Sequence, residues 1–478
     1  MVQSGLDLLL AIPPGRGRSS RLQAALRDAI RRGRLTPGTR LPSTRALAFD
    51  LGLSRGTIVD AYAQLAAEGW ITTIAASGTF VNDVTAVQDV AISDGTARLG
   101  DEIRTPGEIR HDLRPGRPAQ GSFPRGPWLA AVRKVLARAP DVSWNYGHPF
   151  GEAELRYELA IYLRRVRGVH ADPAHVVVTA GFADGLGRVS SLLPSGRIAV
   201  EATGMPTLRS ILQRGGRRLA PVPVDHDGAV TDAVTDMEPA PVAMMLTPAH
   251  QYPLGASLGA ERRHQLLAWA RQTDGLIIED DYDGEFRYDR QPIGALQALD
   301  PDRVIYGGTT SKTMAPALRL GWLAAPAAFA ERIATTYPSP QAPAVSVIEQ
   351  LALAELLRSG SYDRHVRRMR LEYRRRRDHL VERVHADAPR STVHGIAAGL
   401  QLVLELPADV TEDDVLAATR SRGIAISALQ SGGHHLESRQ PPPRGIVVGY
   451  ANPPAHAFHA SIDILIEALR DAGLGPSR

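Results

Sequence analysis

The stretch Val-Ile-Tyr-Gly-Gly-Thr-Thr-Ser-Lys-Thr-Met-Ala-Pro-Ala-Leu-Arg-Leu-Gly, residues 304–321, runs from a buried apolar strand into a polar loop built around one lysine. That lysine, Lys312, is one of only two among 55 cationic residues, the other being Lys134. A chain that uses arginine wherever charge suffices keeps lysine where arginine fails. Arginine stays protonated, whereas lysine can lose its proton and condense with a carbonyl. Lys134 sits in an amphipathic helical run and reads as a solvated surface residue. Lys312 has Thr309, Ser311 and Arg319 beside it, all able to bind a phosphate. An amine for an aldehyde and donors for a phosphate are the set that pyridoxal phosphate requires.

Working outward, Ile278-Glu-Asp-Asp-Tyr-Asp ends another strand in a cluster of acids. A carboxylate facing a pyridine nitrogen keeps it protonated, and a tyrosine can hold the ring's phenolic oxygen. Asp280 or Asp281, with Tyr282, fits that pair. Upstream, Val178-Thr-Ala-Gly-Phe-Ala-Asp opens a helix after a strand, and its free N–H groups suit a phosphate. Apolar runs at 175–179, 197–201, 242–247, 275–280 and 304–308 alternate with amphipathic stretches, which predicts an α/β fold with a mainly parallel sheet covered on both faces. In such sheets ligands bind at the carboxyl ends of the strands, where these residues lie.

At 478 residues the chain exceeds one ordinary core and implies two to four structural units. Hydrophobic content of 44% and charged content of 22% are globular values, and no apolar run reaches the ~18 residues of a membrane span. The apolar run 8–12 is short, meets Pro13-Pro14 and lacks a signal-peptide pattern, so a cytoplasmic protein is expected. The absence of cysteine excludes disulfides, thiolate metal sites and cysteine nucleophiles. Residues 1–81 carry ten arginines against five acids, and 82–112 carry seven acids against three arginines. A basic head on an acidic connector suits a module that binds a polyanion.

Within that head, 20–32 has helical apolar spacing and stops at Gly33. Ser43 caps a second short helix ending near Gly52, and Ser54 caps a third running to Glu68. Two short helices joined by a tight turn form a helix-turn-helix, and the segments 70–74 and 77–81 around a turn read as a two-stranded wing. The start of the second helix of such a unit enters the major groove of duplex DNA, which makes Arg55 and Thr57 candidate contacts. Ser43, Thr44 and Arg45 are placed for backbone phosphate, and Gly78 turns the wing. Residues 82–112, where periodicity fades, read as a linker or a small irregular domain.

The motifs Leu41-Pro-Ser-Thr-Arg, Leu53-Ser-Arg-x-Thr, Leu65-x-x-Glu-Gly and Ser77-Gly-Thr-Phe-Val closely resemble the DNA-binding domain of the GntR family. Residues 113–478 resemble a fold-type I aminotransferase, and the whole chain resembles the MocR branch of GntR regulators. The resemblance implies that Lys312 carries pyridoxal 5'-phosphate as a Schiff base, that Asp280 pairs with the ring nitrogen and Tyr282 with the phenolic oxygen, and that Thr309, Ser311 and Arg319 hold phosphate. It places His250 and Gln251 beside the ring and sends Tyr146 to the neighbouring subunit of a head-to-tail homodimer. Asp281 stays open as the alternative to Asp280, because spacing to the tyrosine differs among relatives.

Three positions depart from the family pattern. Met205 stands where relatives stack an aromatic on the ring, giving a thioether contact instead. Phe182-Ala183-Asp184 replaces the usual Gln-bearing helix start and puts an acid near the phosphate. Val447 stands where aminotransferases present an arginine to the substrate carboxylate, with Arg444 nearby in sequence. The expected function is a regulator sensing pyridoxal phosphate, or an amino compound reacting with it, at a duplex DNA operator. The rival is an active aminotransferase with a DNA-binding appendage, and a third reading is a cofactor-free repressor whose body merely dimerises.

Overall fold

The computed structural model describes residues 18–84, 109–289, 293–336, 345–436 and 443–476. The chain divides into two compact units, within residues 1–104 and 105–478.

In the first unit, helix Arg18–Arg31 buries Leu22, Leu26 and Ile30 against helices Thr44–Leu51 and Arg55–Ala67. The caps fall where the sequence puts them. Ser43 Oγ accepts from the Ala46 N–H, Ser54 Oγ accepts from the Thr57 N–H, and Gly52 ends its helix in the left-handed region. Strands Ile71–Ile74 and Gly78–Val81 pair antiparallel as the wing. A third strand, Arg40–Leu41, joins Gly78–Val81 on its other edge. Two residues are too few to show a period in sequence, so only the partner strand reveals it.

The second unit centres on a seven-stranded sheet in the order Val176–Thr179, Gly321–Ala324, Val304–Thr309, Leu276–Asp280, Ala243–Leu246, Arg197–Glu201, Arg218–Val222. Every pairing is parallel except the two made by Gly321–Ala324. That strand follows Lys312 directly, so the lysine loop is a turn between antiparallel neighbours. The runs at 278, 305 and 323 are buried on both faces, as expected of a covered sheet.

A second lobe carries a four-stranded antiparallel sheet, Thr392–His394, Gln401–Glu405, Gly445–Gly449 and Ser427–Ala428. Leu402, Leu404, Ile446 and Val448 pack under helices Ser361–Asp387 and Phe458–Leu469. Alternation then turns Gln401, Val403 and Val447 to the opposite face. Val403 and Val447 stand opposite each other in register and pack with Leu429 and Leu254 of the first lobe.

The expected 82–112 linker is corrected at its end. His111–Asp112 is a strand paired in parallel with Ile424–Ala425, so the body begins before residue 113. Its partner lies some three hundred residues away, beyond the reach of local pattern. The rest of the expected linker, residues 85–108, lies outside the described residues.

Candidate functional site

Strand Leu276–Asp280 ends in Asp280, Asp281, Tyr282 and Asp283, all buried. Adjacent residues leave a strand end in opposite directions, and here they meet opposite surroundings. Asp281 receives Arg167 through Nε at 2.6 Å and Nη2 at 2.9 Å, and Tyr306 Oη donates to it at 2.6 Å. Asp280 instead lines a small cavity with Met205, Tyr252 and Tyr282, and its Oδ1 has no hydrogen-bond partner among the described residues. Burial, then the neighbouring Asp281, pushes the Asp280 carboxyl well above the usual range, opposed by Lys312.

Lys312 is half-buried, and its Nζ donates to the Gly116 carbonyl at 2.6 Å. Desolvation of the amine pushes it below the ordinary lysine value against the pull of Asp280 and Asp283, with Arg117 adding to the lowering. Gly116 was not legible as a site residue. It comes from the segment entering the body, where its N–H donates to Gln401 Oε1 at 3.3 Å. Gln401 Nε2 in turn donates to Tyr282 Oη at 3.3 Å, tying the second lobe to the cluster.

Gly181, at φ 87°, precedes helix Phe182–Leu192, whose first N–H groups have no helical partner. A Cβ on Gly321 would lie 2.7 Å from the Gly181 backbone, so bare backbone holds this helix start on the sheet. A Cβ on Gly181 itself would point at the Arg319 guanidinium, 3.9 Å off. Arg319 therefore lies beside the N–H groups of this helix start.

The structure divides the expected set. Asp280, Tyr282 and Met205 line one cavity, His250 Nδ1 lies 3.1 Å from Tyr282 Oη, Lys312 acts on the Asp280 charge and Arg319 lies beside Gly181, whereas Ser311 Oγ is 2.9 Å from Thr309 Oγ1. Thr309 turns its hydroxyl to Leu320 O at 3.2 Å and to the Ser311 N–H at 3.1 Å, inside its own loop. The Gln251 amide donates to the Thr203 and Tyr252 carbonyls and accepts from Leu254 N, bracing the loop rather than facing the cavity. The Phe182 side chain packs into the core, and Ala183 is half-buried at its edge, so both offer backbone alone. Asp184 does not expose a charge at this helix start: it accepts from Ala180 N at 2.9 Å and pairs with Arg188 at 2.9 Å. Tyr146 is 70% exposed beside exposed Val142 and Trp144, outside the buried cluster. Arg444 donates to Ala408 O at 3.2 Å on an exposed edge. Lys134 pairs with Glu355 at 2.5 Å on a helix surface, as expected.

Glu201 lies beside the cavity and accepts from Thr247 N at 3.1 Å and Thr247 Oγ1 at 2.7 Å. Burial overrides those bonds and pushes its carboxyl up to about 7. Burial likewise raises Glu279 and Glu285 from the ordinary 4.5 to about 7. In this window the folded chain holds protons on these carboxyls that the unfolded chain has released, so their contribution to stability falls as pH rises from about 4.5 to about 7, while buried His434, lowered to about 4, contributes the opposite slope. Urea unfolding of the cofactor-free protein at a series of pH values resolves each carboxyl's share, up to ~1.4 kcal/mol per pH unit, as the difference between wild type and variant. Glu201→Gln should remove one carboxyl's share, and an unchanged slope would refute the assignment.

In the head, Arg45 and Arg55 are exposed at the starts of the second and third helices, and neither has a carboxylate partner among the described residues. Arg27, Arg32 and Arg34, by contrast, pair with Glu68 or Asp28. Arg40 was missed from sequence. Its Nε would lie 2.8 Å from a Cβ on Gly78, at φ 125°, so it crosses the wing where only glycine fits. Thr57 Oγ1 is 2.8 Å from Ser54 Oγ and belongs to the cap. Ser43 is a cap as well, and Thr44 is half-buried next to it.

Among the described residues no helix is long and apolar enough to cross a membrane, and no group of three or more metal-ligating side chains occurs. Residues 18–81 match the family of bacterial regulatory proteins, gntR family, and residues 121–434 match aminotransferase class I and II. The pyridoxine biosynthesis transcriptional regulator PdxR of Corynebacterium glutamicum is 37% identical, over 93% of this chain and 95% of that protein. The probable rhizopine catabolism regulatory protein MocR of Rhizobium meliloti is 32% identical over 90% and 89%. Among solved structures, an archaeal alanine:glyoxylate aminotransferase superposes with a TM-score of 0.69 at 22% identity, covering 80% of this chain and 96% of that one. With a GntR head in front of an aminotransferase class I and II body, and full-length likeness to these regulators, the chain belongs to the MocR-like branch of the GntR family.

Proposed function

We propose that the protein is a transcriptional regulator acting in the cytoplasm, binding duplex DNA through residues 1–81 and pyridoxal 5'-phosphate in its body, with the cofactor itself as the signal. The residues fit the cofactor on three observations. Asp280 has a buried oxygen lacking a donor among the described residues, Lys312 is an amine depressed by burial, and a helix start lies beside Arg319. When bound, the cofactor supplies an aldehyde and an electron-accepting ring. Asp280 would face the ring nitrogen, Tyr282 the phenolic oxygen and Lys312 the aldehyde. Met205 would cover the ring, and Arg319, Ser311 and the first N–H groups of the helix at 182 would hold phosphate. The exposed Tyr146, Val142 and Trp144 support a homodimer in which Tyr146 serves the neighbouring site.

The observation that carries regulation over catalysis is Val447. It is fully buried against Val403, Leu429 and Leu254, so an apolar contact occupies the sheet position from which an amino-acid enzyme would offer a cation. Misplacing a reacting group by ~1 Å can cost ~100-fold in rate, and an unheld carboxylate is misplaced further. The likeness to a regulator of pyridoxine biosynthesis favours the cofactor over a separate amino compound as the signal. Multiple-turnover assays over common amino donors and keto acids should show rates far below the ~10 s⁻¹ typical of enzymes. Affinity for the promoter adjoining its own gene should change on adding pyridoxal phosphate. Turnover near ~10 s⁻¹ would restore the enzyme reading.

A further inference from the structure

Asp283 has no part in the roles read above, yet it is 2% exposed and directly follows Tyr282 in the chain. Its Oδ2 lies 2.9 Å from His250 Nδ1, and the same nitrogen lies 3.1 Å from Tyr282 Oη. The second lobe presses on this pair: a Cβ on Gly399 would fall 2.3 Å from His250 Cε1 and 2.8 Å from Asp283 Oδ2. A carboxylate offers only acceptors, so the hydrogen between Asp283 and His250 must sit on Nδ1. Nδ1 then cannot accept from Tyr282. Gln401 Nε2 reaches the same phenol oxygen from the other side, and it too is a donor. With Nδ1 closed as an acceptor and Gln401 Nε2 donating to its oxygen, the Tyr282 hydroxyl must aim its own hydrogen elsewhere.

We infer that Asp283 is a positioning residue: by fixing the proton on His250 Nδ1 it makes Tyr282 an obligatory donor toward the cavity that Tyr282 lines. This rests on the cofactor reading above and specifies how that site handles an anionic phenolic oxygen. The other groups facing Tyr282 are Asp280 and the edge of the Tyr252 ring at 5.9 Å, neither of which supplies a competing N–H. Lys312 is coupled electrostatically to Asp280, Asp283 and Arg117.

The test is a pH titration of the visible absorption of the full-length protein loaded with pyridoxal phosphate. A donor from Tyr282 competes for the phenolic oxygen with the proton that the oxygen shares with the Lys312 nitrogen. Losing that donor strengthens the proton's hold and raises the midpoint. Asp283→Asn frees His250 to accept from Tyr282, so its midpoint should rise by about one pH unit, tenfold in proton affinity. Tyr282→Phe should raise it at least as far, and the double variant should match Tyr282→Phe alone. Loss of the Asp283 charge acting only through space predicts the opposite sign, because that charge favours the protonated nitrogen. His250→Asn, expected to shift upward as well, serves if Asp283→Asn does not fold. A midpoint that falls or stays, or shifts that add in the double variant, overturns the inference. A wild-type protein without a visible band overturns the cofactor reading instead.

Discussion

Lys312→Ala should abolish the visible band of the loaded protein and weaken retention of pyridoxal phosphate by ~100-fold or more, a loss of ~2.8 kcal/mol at 1.4 kcal/mol per decade. The size follows from losing a covalent link and leaving only the phosphate and ring contacts. The site favours that link in two ways. Burial of the amine raises the fraction able to attack a carbonyl at neutral pH, and the Gly116 carbonyl at 2.6 Å orients the nitrogen. Lys312→Arg should fail equally, since its charge survives but its nucleophilicity does not. Borohydride reduction of the wild type followed by peptide mass spectrometry should place a pyridoxyl group on Lys312. Label on Lys134, which pairs with Glu355 on a helix surface, or on neither, would sink the assignment.

Duplex binding should depend on Arg45 and Arg55 in different ways. Arg55 opens the third helix, capped by Ser54, which places it to enter the major groove. If it pairs with a guanine, Arg55→Ala should cost ~1–3 kcal/mol on the cognate promoter and relax preference among sequences. Arg45, exposed at the start of the second helix, should touch phosphate. Arg45→Ala should then weaken all duplexes alike and lower the salt dependence by about one ion. Titrations of the full-length variants at several salt concentrations separate the two patterns. Unchanged binding in both variants would remove the head from the proposal.

Much of this protein is legible in its sequence because local chemistry is written locally. Ser43, Gly52 and Ser54 cap where their side chains and backbone freedom require, apolar runs give the buried strands, and a rare lysine in a Ser/Thr loop announces nucleophilic chemistry. The wing and five strands of the large sheet follow from the same short-range signals. What sequence left open needed partners distant along the chain. Asp280 and Asp281 are chemically equal neighbours, and only Arg167 and Tyr306, brought by other elements, occupy one and leave the other facing the cavity. Gly116 and Gln401 carry no motif, Asp283 stands in the acidic cluster without any local sign of its partner His250, and Gln251 and Thr309 looked like site residues until their own backbone surroundings took their hydrogen bonds. The strand His111–Asp112 exists only because Ile424–Ala425 lies beside it. Sequence by itself determined which chemistries this chain can hold, since residue types set proton affinity, charge and backbone freedom. Tertiary structure alone decided which groups use them, since a buried polar atom's role is fixed by the partners left within hydrogen-bond reach.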